Sequence, residues 1–117
     1  MVPMPDLSAE DQKLVTLARA TRARIRAAEG AAVRDTDGRT YAAATIDLPS
    51  LHLTAVQAVV AMAVASGSTG VEACVVLGDA QDLTEPDAAV LSDFAGADGV
   101  VVHLGDARGT IAATVRA

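Results

Sequence analysis

Four residues of this 117-residue chain are the candidates to bind a metal ion: His52, Cys74, Asp87 and His103. A hydrolytic zinc site needs three such ligands converging on one ion, an open position for water, and a separate acid/base group. The four are scattered. His52 precedes one apolar run, Cys74 lies inside a second, Asp87 falls at a helix start, and His103 sits in a third apolar run near the C-terminal end. A carboxylate in a first helical turn is accounted for by the helix dipole. A lone cysteine in an apolar run reads as a small buried hydrophobe. No phosphate loop, Ser–His–Asp order or dinucleotide fingerprint occurs, and Gly78-Asp79 and Gly105-Asp106 are turn signals.

The elements that would carry these residues can be read in order. Ser8 caps a first helix that runs to about Glu29 with Gly30 as its stop, and Glu10 and Asp11 lie in its first turn. Residues 31–34 and 39–46 read as two strands around Asp35-Thr36-Asp37-Gly38, a hairpin signal. Residues 47–52, with Pro49, read as a loop. A second helix over Thr54–Ser66 ends at Gly67 and is apolar on every face except at Gln57, so it must be covered on all sides. Residues 71–77 form a continuous apolar strand, expected at the centre of a sheet. An acidic loop leads to a third helix over residues 85–94, capped by Thr84 with Pro86 in its first turn. Strands over residues 99–104 and 110–115 close the chain. The order α-β-β-α-β-α-β-β predicts an α/β domain with one mixed five-stranded sheet and helices packed on it.

Composition bounds the rest. The length suits a single domain over residues 1–117, with 1–7 as an N-terminal tail. Half of the residues are hydrophobic, but there is one Tyr, one Phe and no Trp, so the core is built from Ala, Val and Leu. The net charge is −6. The basic cluster Arg19, Arg22, Arg24 and Arg26 reads as a solvated helix face. Without stacking aromatics it does not make a nucleic-acid footprint. One cysteine excludes an intramolecular disulfide. No apolar run approaches membrane-spanning length, the first residues do not read as a signal peptide, and a cytoplasmic location is expected. The alanine-rich composition fits a GC-rich bacterial genome.

This layout resembles the small cytidine deaminase family over nearly the whole chain. Gly30-Ala31-Ala32-Val33-Arg34 followed by Asp37-Gly38-Arg39-Thr40-Tyr41 is similar to that family's first hairpin. Thr45-Ile46-Asp47 stands where the family has Asn-x-Glu, the pair that grips the ribose. Leu53-Thr54 is similar to the lead into its Cys-Ala-Glu or His-Ala-Glu motif, and Glu85-Pro86 to the approach to Pro-Cys-x-x-Cys. The resemblance implies the three-layer deaminase fold and a zinc hydrolase. The motif positions read otherwise. Ala55 and Gln57 fall on the ligand-x-acid pair, and Asp87 and Val90 on the two thiolates. A methyl or isopropyl group cannot bind zinc, and an amide cannot serve as general base and then general acid. No catalytic residue, metal ligand or cofactor is therefore expected: Ala55, Gln57, Asp87 and Val90 are vestigial, and Thr45 and Asp47 are remnants of a substrate grip.

Three readings follow. The first is a catalytically inactive deaminase-like assembly or interaction module. It would be a dimer or tetramer joined through the Thr54–Ser66 helix, with an unidentified protein as a further partner. The second is a nucleoside-binding module with a remnant pocket and weak affinity. The third is an active cytidine deaminase or other hydrolase with a metal site rearranged around His52, Asp87 and His103 or Cys74. An open polar pocket would favour binding, and a cleft filled by side chains would favour a scaffold.

Overall fold

The continuous apolar run predicted for the centre of the sheet does lie there, and it sets the positions of the other elements. The computed structural model describes residues 7–80 and 82–117. Its elements are α1 (Ala9–Ile25), β1 (Glu29–Asp35), β2 (Thr40–Ala44), β3 (Ile46–Leu48), β4 (Leu51–Leu53), α2 (Ala55–Ala65), β5 (Val71–Gly78), α3 (Glu85–Asp93), β6 (Val101–Gly105) and β7 (Ile111–Arg116). The main sheet has the order β2-β1-β5-β6-β7. β5 pairs antiparallel with β1 and parallel with β6, which makes the sheet mixed. Most of the predicted tail, residues 1–6, lies outside the described residues, and Leu7 packs half-buried beside α1.

The side chains of β5 alternate between two cores. Ala73, Val75 and Leu77 meet Leu14, Val15 and Ala18 of α1. Cys74 and Val76 meet Val56, Val59 and Ala63 of α2 and Leu91 of α3. The domain is thus three layers: α1, the sheet, then α2 with α3. Each fully buried Val or Leu contributes about 2 kcal/mol. Gly30 allows α1 to lie close on β1, because a Cβ there would collide with the Ala18 carbonyl oxygen and lie 2.7 Å from Arg22 Cβ.

Two local expectations need correcting. First, α1 stops at Ile25 rather than near Glu29. Arg26 takes a left-handed conformation (φ 54°), and the N–H groups of Arg26 and Ala27 bond back to the carbonyls of Ala23 and Arg22. The early stop lets the chain reverse so that Glu29 opens β1. Second, residues 47–52 are not a loop. β3 and β4 form a separate two-stranded hairpin that turns at Pro49-Ser50, with Asp47 opposite His52. The inner side of α2 packs on the sheet as expected, and the side expected to meet another subunit is exposed on the single chain. Ala55, Val56, Val59 and Ala63 are buried, whereas Ala61, Met62, Val64 and Ala65 are exposed.

Cys74 is fully buried, and burial, reinforced by the negative charge of Asp87, pushes its thiol up to about 12. The thiolate is the reactive form. A thiol reagent such as dithionitrobenzoate is therefore expected to leave Cys74 unlabelled in the folded protein and to label it on unfolding. Rapid labelling under native conditions would contradict this placement.

Candidate functional site

The start of β1, the end of β5, the start of α2 and the β3–β4 hairpin meet at one end of the sheet. Between them is a cavity of about 490 Å³, lined by Ala28, Glu29, Thr45, Ile46, Asp47, His52, Leu53, Thr54, Gln57, Asp79 and Ala80. That volume lies within the range of small-molecule pockets. Thr45, Asp47 and Gln57, separate in sequence, line the same space.

Behind the cavity the two helix starts are tied together. Thr54 caps α2: its hydroxyl oxygen accepts the Gln57 N–H at 3.0 Å, while Gln57 Oε1 accepts the Thr54 N–H at 2.9 Å. This reciprocal capping box satisfies two donors that the helix geometry would otherwise leave open. The Thr54 hydroxyl also donates to Asp87 Oδ1 at 2.7 Å. Asp87 is 4% exposed and sits in the first turn of α3, where its N–H reaches the Thr84 hydroxyl oxygen at 3.4 Å. From the sequence, Asp87 serves the helix dipole and Gln57 stands at a vestigial acid position. Here Asp87 also joins α3 to α2, and Gln57 closes a cap at the cavity wall.

The residues at the expected metal positions do not fit zinc. Ala55 is fully buried with no donor atom, and Val90 packs partly buried against the α2-side core. Asp87 is engaged by Thr54. His103 cannot join it, because His103 pairs with Val75 across β5 and β6 and so faces the α1 layer. Cys74 faces the α2 layer but is enclosed in the core. His52 lies on the exposed hairpin. Among the described residues no group of three His, Cys, Asp or Glu is placed to hold a metal. The rearranged set of His52, Asp87, His103 and Cys74 is thus split between two faces of the sheet and the hairpin.

The cavity holds a carboxylate that the sequence reading missed. Glu29 is half-buried at the start of β1, and burial, with the nearby charge of Asp87, raises its pKa above the ordinary glutamate value. The strand period could have revealed it: Ala31 and Val33 face the α2 core, so Glu29, two residues earlier, points to the same side at the open end of the strand. Thr45 braces this corner, its hydroxyl oxygen accepting the Glu29 N–H at 3.0 Å. On the hairpin, His52 Nδ1 lies 2.9 Å from Asp47 Oδ1, and both side chains are exposed. Asp47 therefore orients an imidazole at the cavity mouth.

A second polar cluster lies across the sheet. Asp11 accepts from His103 Nε2 at 2.8 Å and from Arg34 Nη1 at 2.9 Å; Arg34 Nε also meets Glu72 at 3.1 Å, and His103 Nδ1 meets the Thr114 hydroxyl at 2.9 Å. Burial works to raise the Asp11 pKa, but the hydrogen bonds and charges of His103 and Arg34 outweigh it and hold the carboxyl below its ordinary value. Every member has its partner, and the cluster pins the start of α1 to β1 and β6.

A family model described as cytidine deaminase-like matches residues 7–109. Solved structures with a similar fold include the cytidine deaminase of Burkholderia pseudomallei, at 19% identity and TM-score 0.77 over 94% of this chain and 93% of that one. The enzyme of Mycobacterium leprae is 18% identical, with TM-score 0.69 over 93% and 94%. That of Mycobacterium tuberculosis is 22% identical, with TM-score 0.69 over 81% and 85%. No curated protein matches the chain.

Proposed function

The chain belongs to the cytidine deaminase-like family, and we propose that within it this protein is a non-catalytic module that binds a small nucleoside-like molecule. The cavity carries this reading: the space in front of Thr54 and Gln57 is open, whereas the place beside Ala55, Asp87 and Val90 is closed by packing and by the Thr54–Asp87 hydrogen bond. Asp47 and His52 supply hydrogen-bonding groups for hydroxyls at the mouth, and Glu29 presents a carboxyl further in. Apolar contact comes from Ile46 and Leu53.

The charge of the lining selects among ligands. Glu29, Asp47 and Asp79 face the cavity, and among the described residues no Lys or Arg lines it. A phosphate group would meet carboxylates without a compensating cation, so the pocket favours nucleosides over nucleotides. Deamination would require a group to activate water and another to carry protons. Gln57 cannot carry them, and among the described residues no group of three His, Cys, Asp or Glu could hold a zinc ion to activate water.

Cytidine, uridine and deoxycytidine are expected to raise the melting temperature at millimolar concentration, and the corresponding monophosphates to do so less. Asp47→Ala should weaken the shift. Cytidine should release no ammonia, and the purified protein should hold zinc well below one ion per chain. Absence of any shift with all three nucleosides would remove the binding reading; ammonia release with stoichiometric zinc would remove the non-catalytic one.

Assembly through α2 is the second reading. Ala61, Met62, Val64 and Ala65 form an exposed, uncharged strip on its outer side, and Leu48 and Leu51 are exposed on the adjoining hairpin. The open cavity places it behind ligand binding.

A further inference from the structure

Among the described residues, Glu29 is the one carboxylate out of full exposure whose oxygens have no donor. Asp11, Asp35, Asp87 and Asp106 each accept hydrogen bonds from the chain. The Glu29 carboxylate accepts none, and the charge acting on it is the like charge of Asp87. Its open side is the cavity.

The residue is nonetheless held in place. Its N–H donates to the Thr45 hydroxyl oxygen at 3.0 Å, and its carbonyl accepts the Thr45 N–H at 3.1 Å. Across the ladder it stands opposite Gly78 of β5. A Cβ at Gly78 would lie 2.9 Å from Glu29 Cγ, so the glycine leaves room for the glutamate stem. The main chain is fixed from one side and the side chain is seated on the other. The carboxylate is thus presented to the cavity wall by the fold, not left to wander as a surface glutamate would.

An ionised carboxylate can only accept hydrogen bonds. A ligand that fills the cavity takes water away from Glu29 and must bring a donor, or the carboxylate is stranded. The rest of the lining adds negative charge. Even where His52 offsets Asp47, the charges of Glu29 and Asp79 stay unbalanced, because among the described residues no Lys or Arg lines the cavity. A hydrogen bond to a carboxylate is strongest when the donor is itself charged.

We propose that Glu29 is the specificity-determining residue of this cavity, and that it selects a nucleoside-like ligand whose base carries a positive charge and an N–H donor. The chemical class is a base made cationic by N-methylation or by protonation. This rests on the nucleoside-binding reading of the cavity and adds to it the charge of the preferred ligand. Asp79, exposed at the end of β5, adds to the field without touching the base.

Titration calorimetry at pH 7 with 3-methylcytidine and 3-methyluridine tests this. The two carry the same methyl group, but only the first is cationic and keeps an amino donor. Wild-type protein should bind 3-methylcytidine about tenfold more tightly or better. Glu29→Gln keeps the shape of the side chain and removes its charge. It should bind the two about equally while its circular dichroism spectrum stays unchanged. Asp79→Asn should keep most of the preference. Equal affinities in the wild-type protein would overturn the proposal, whether or not Glu29→Gln folds, and would leave the nucleoside reading standing if cytidine and uridine still bind. A folded Glu29→Gln that kept the full preference would overturn it too, as would loss of the preference in Asp79→Asn alone. If no nucleoside, neutral or cationic, bound at all, the nucleoside reading would fall and this proposal with it.

Discussion

Thr54→Val is expected to lower the melting temperature by about 12 °C, corresponding to about 3 kcal/mol. The substitution keeps the shape of the side chain and removes one hydroxyl. That hydroxyl caps α2, a contribution of about 1 kcal/mol. It is also the donor seen on Asp87, which is 4% exposed. A buried carboxylate that loses its donor keeps its desolvation cost, about 2 kcal/mol or more. The two partners should therefore behave asymmetrically. Asp87→Ala strands no charge, and its effect should be smaller than that of Thr54→Val. Adding Asp87→Ala to Thr54→Val should raise the melting temperature above that of the single Thr54→Val variant, because removing both partners of a buried pair is cheaper than removing one. Thr54→Ser should stay close to wild type. Chelators should leave all of these melting temperatures unchanged. If Thr54→Val melted like wild type, or the double variant melted lower than the single one, the tie between α2 and α3 would not be what holds the two helix starts.

This tie joins the two helix starts through side chains of the chain itself. The starts of α2 and α3 carry the positions where the family resemblance expects zinc ligands. Here they are joined by a threonine and an aspartate, each already serving the geometry of its own helix. Nothing in the sequence pairs Thr54 with Asp87, 33 residues apart. Each reads separately as a helix-start residue, and that reading is correct for each.

The same contrast separates what the sequence shows from what it does not. Period and run length locate β5, α2 and α3 closely, because burial on a sheet imposes those patterns directly. The β3–β4 hairpin escaped because its strands have three residues each. Ile46, Leu48, Leu51 and Leu53 do alternate around Pro49-Ser50, but over a span too short to stand out against a proline loop. The end of α1 was misplaced because Arg26, not a glycine, takes the left-handed cap. Glu29 reads from the sequence as the last residue of that helix, which hides its place at the start of β1. In the candidate site, the resemblance points to Thr45, Asp47 and Gln57, and all three line one cavity. The ties from Thr54 to Asp87 and from Asp11 to His103 are long-range contacts that no local pattern encodes.

Asp35 is the second position where a single change should have a large effect, and that effect depends on pH. The sequence reading treats it as a hairpin residue. It is fully buried, accepting the Ser68 hydroxyl at 2.6 Å, the Arg39 N–H at 2.8 Å and the Asp37 N–H at 3.0 Å, with Arg39 Nε at 3.3 Å. Ser68 follows α2, so this carboxylate locks the β1–β2 turn to the segment between α2 and β5. Asp35→Ala removes the acceptor of two turn amides and leaves the buried Ser68 hydroxyl with only the Tyr41 hydroxyl, at 3.2 Å, and should cost about 3 kcal/mol at neutral pH. Burial works to raise the Asp35 carboxyl, but the hydrogen bonds from Ser68, Arg39 and Asp37 and the charge of Arg39 outweigh it, so its pKa lies below the ordinary 3.8. Asp11 is lowered as well. In the unfolded chain both carboxyls take up protons near the ordinary value; in the folded protein they do so only at lower pH. Between those limits the unfolded state binds more protons, so stability falls as pH falls. The contribution of both groups is fully present above about pH 5 and is lost as pH drops through their folded values. Urea denaturation from pH 7 down to pH 3 should therefore show wild-type stability level and then falling, with a shallower fall in Asp35→Asn. The gap between the two proteins should narrow toward acid. A gap that stayed constant across that range would mean that Asp35 is not held ionised by these donors.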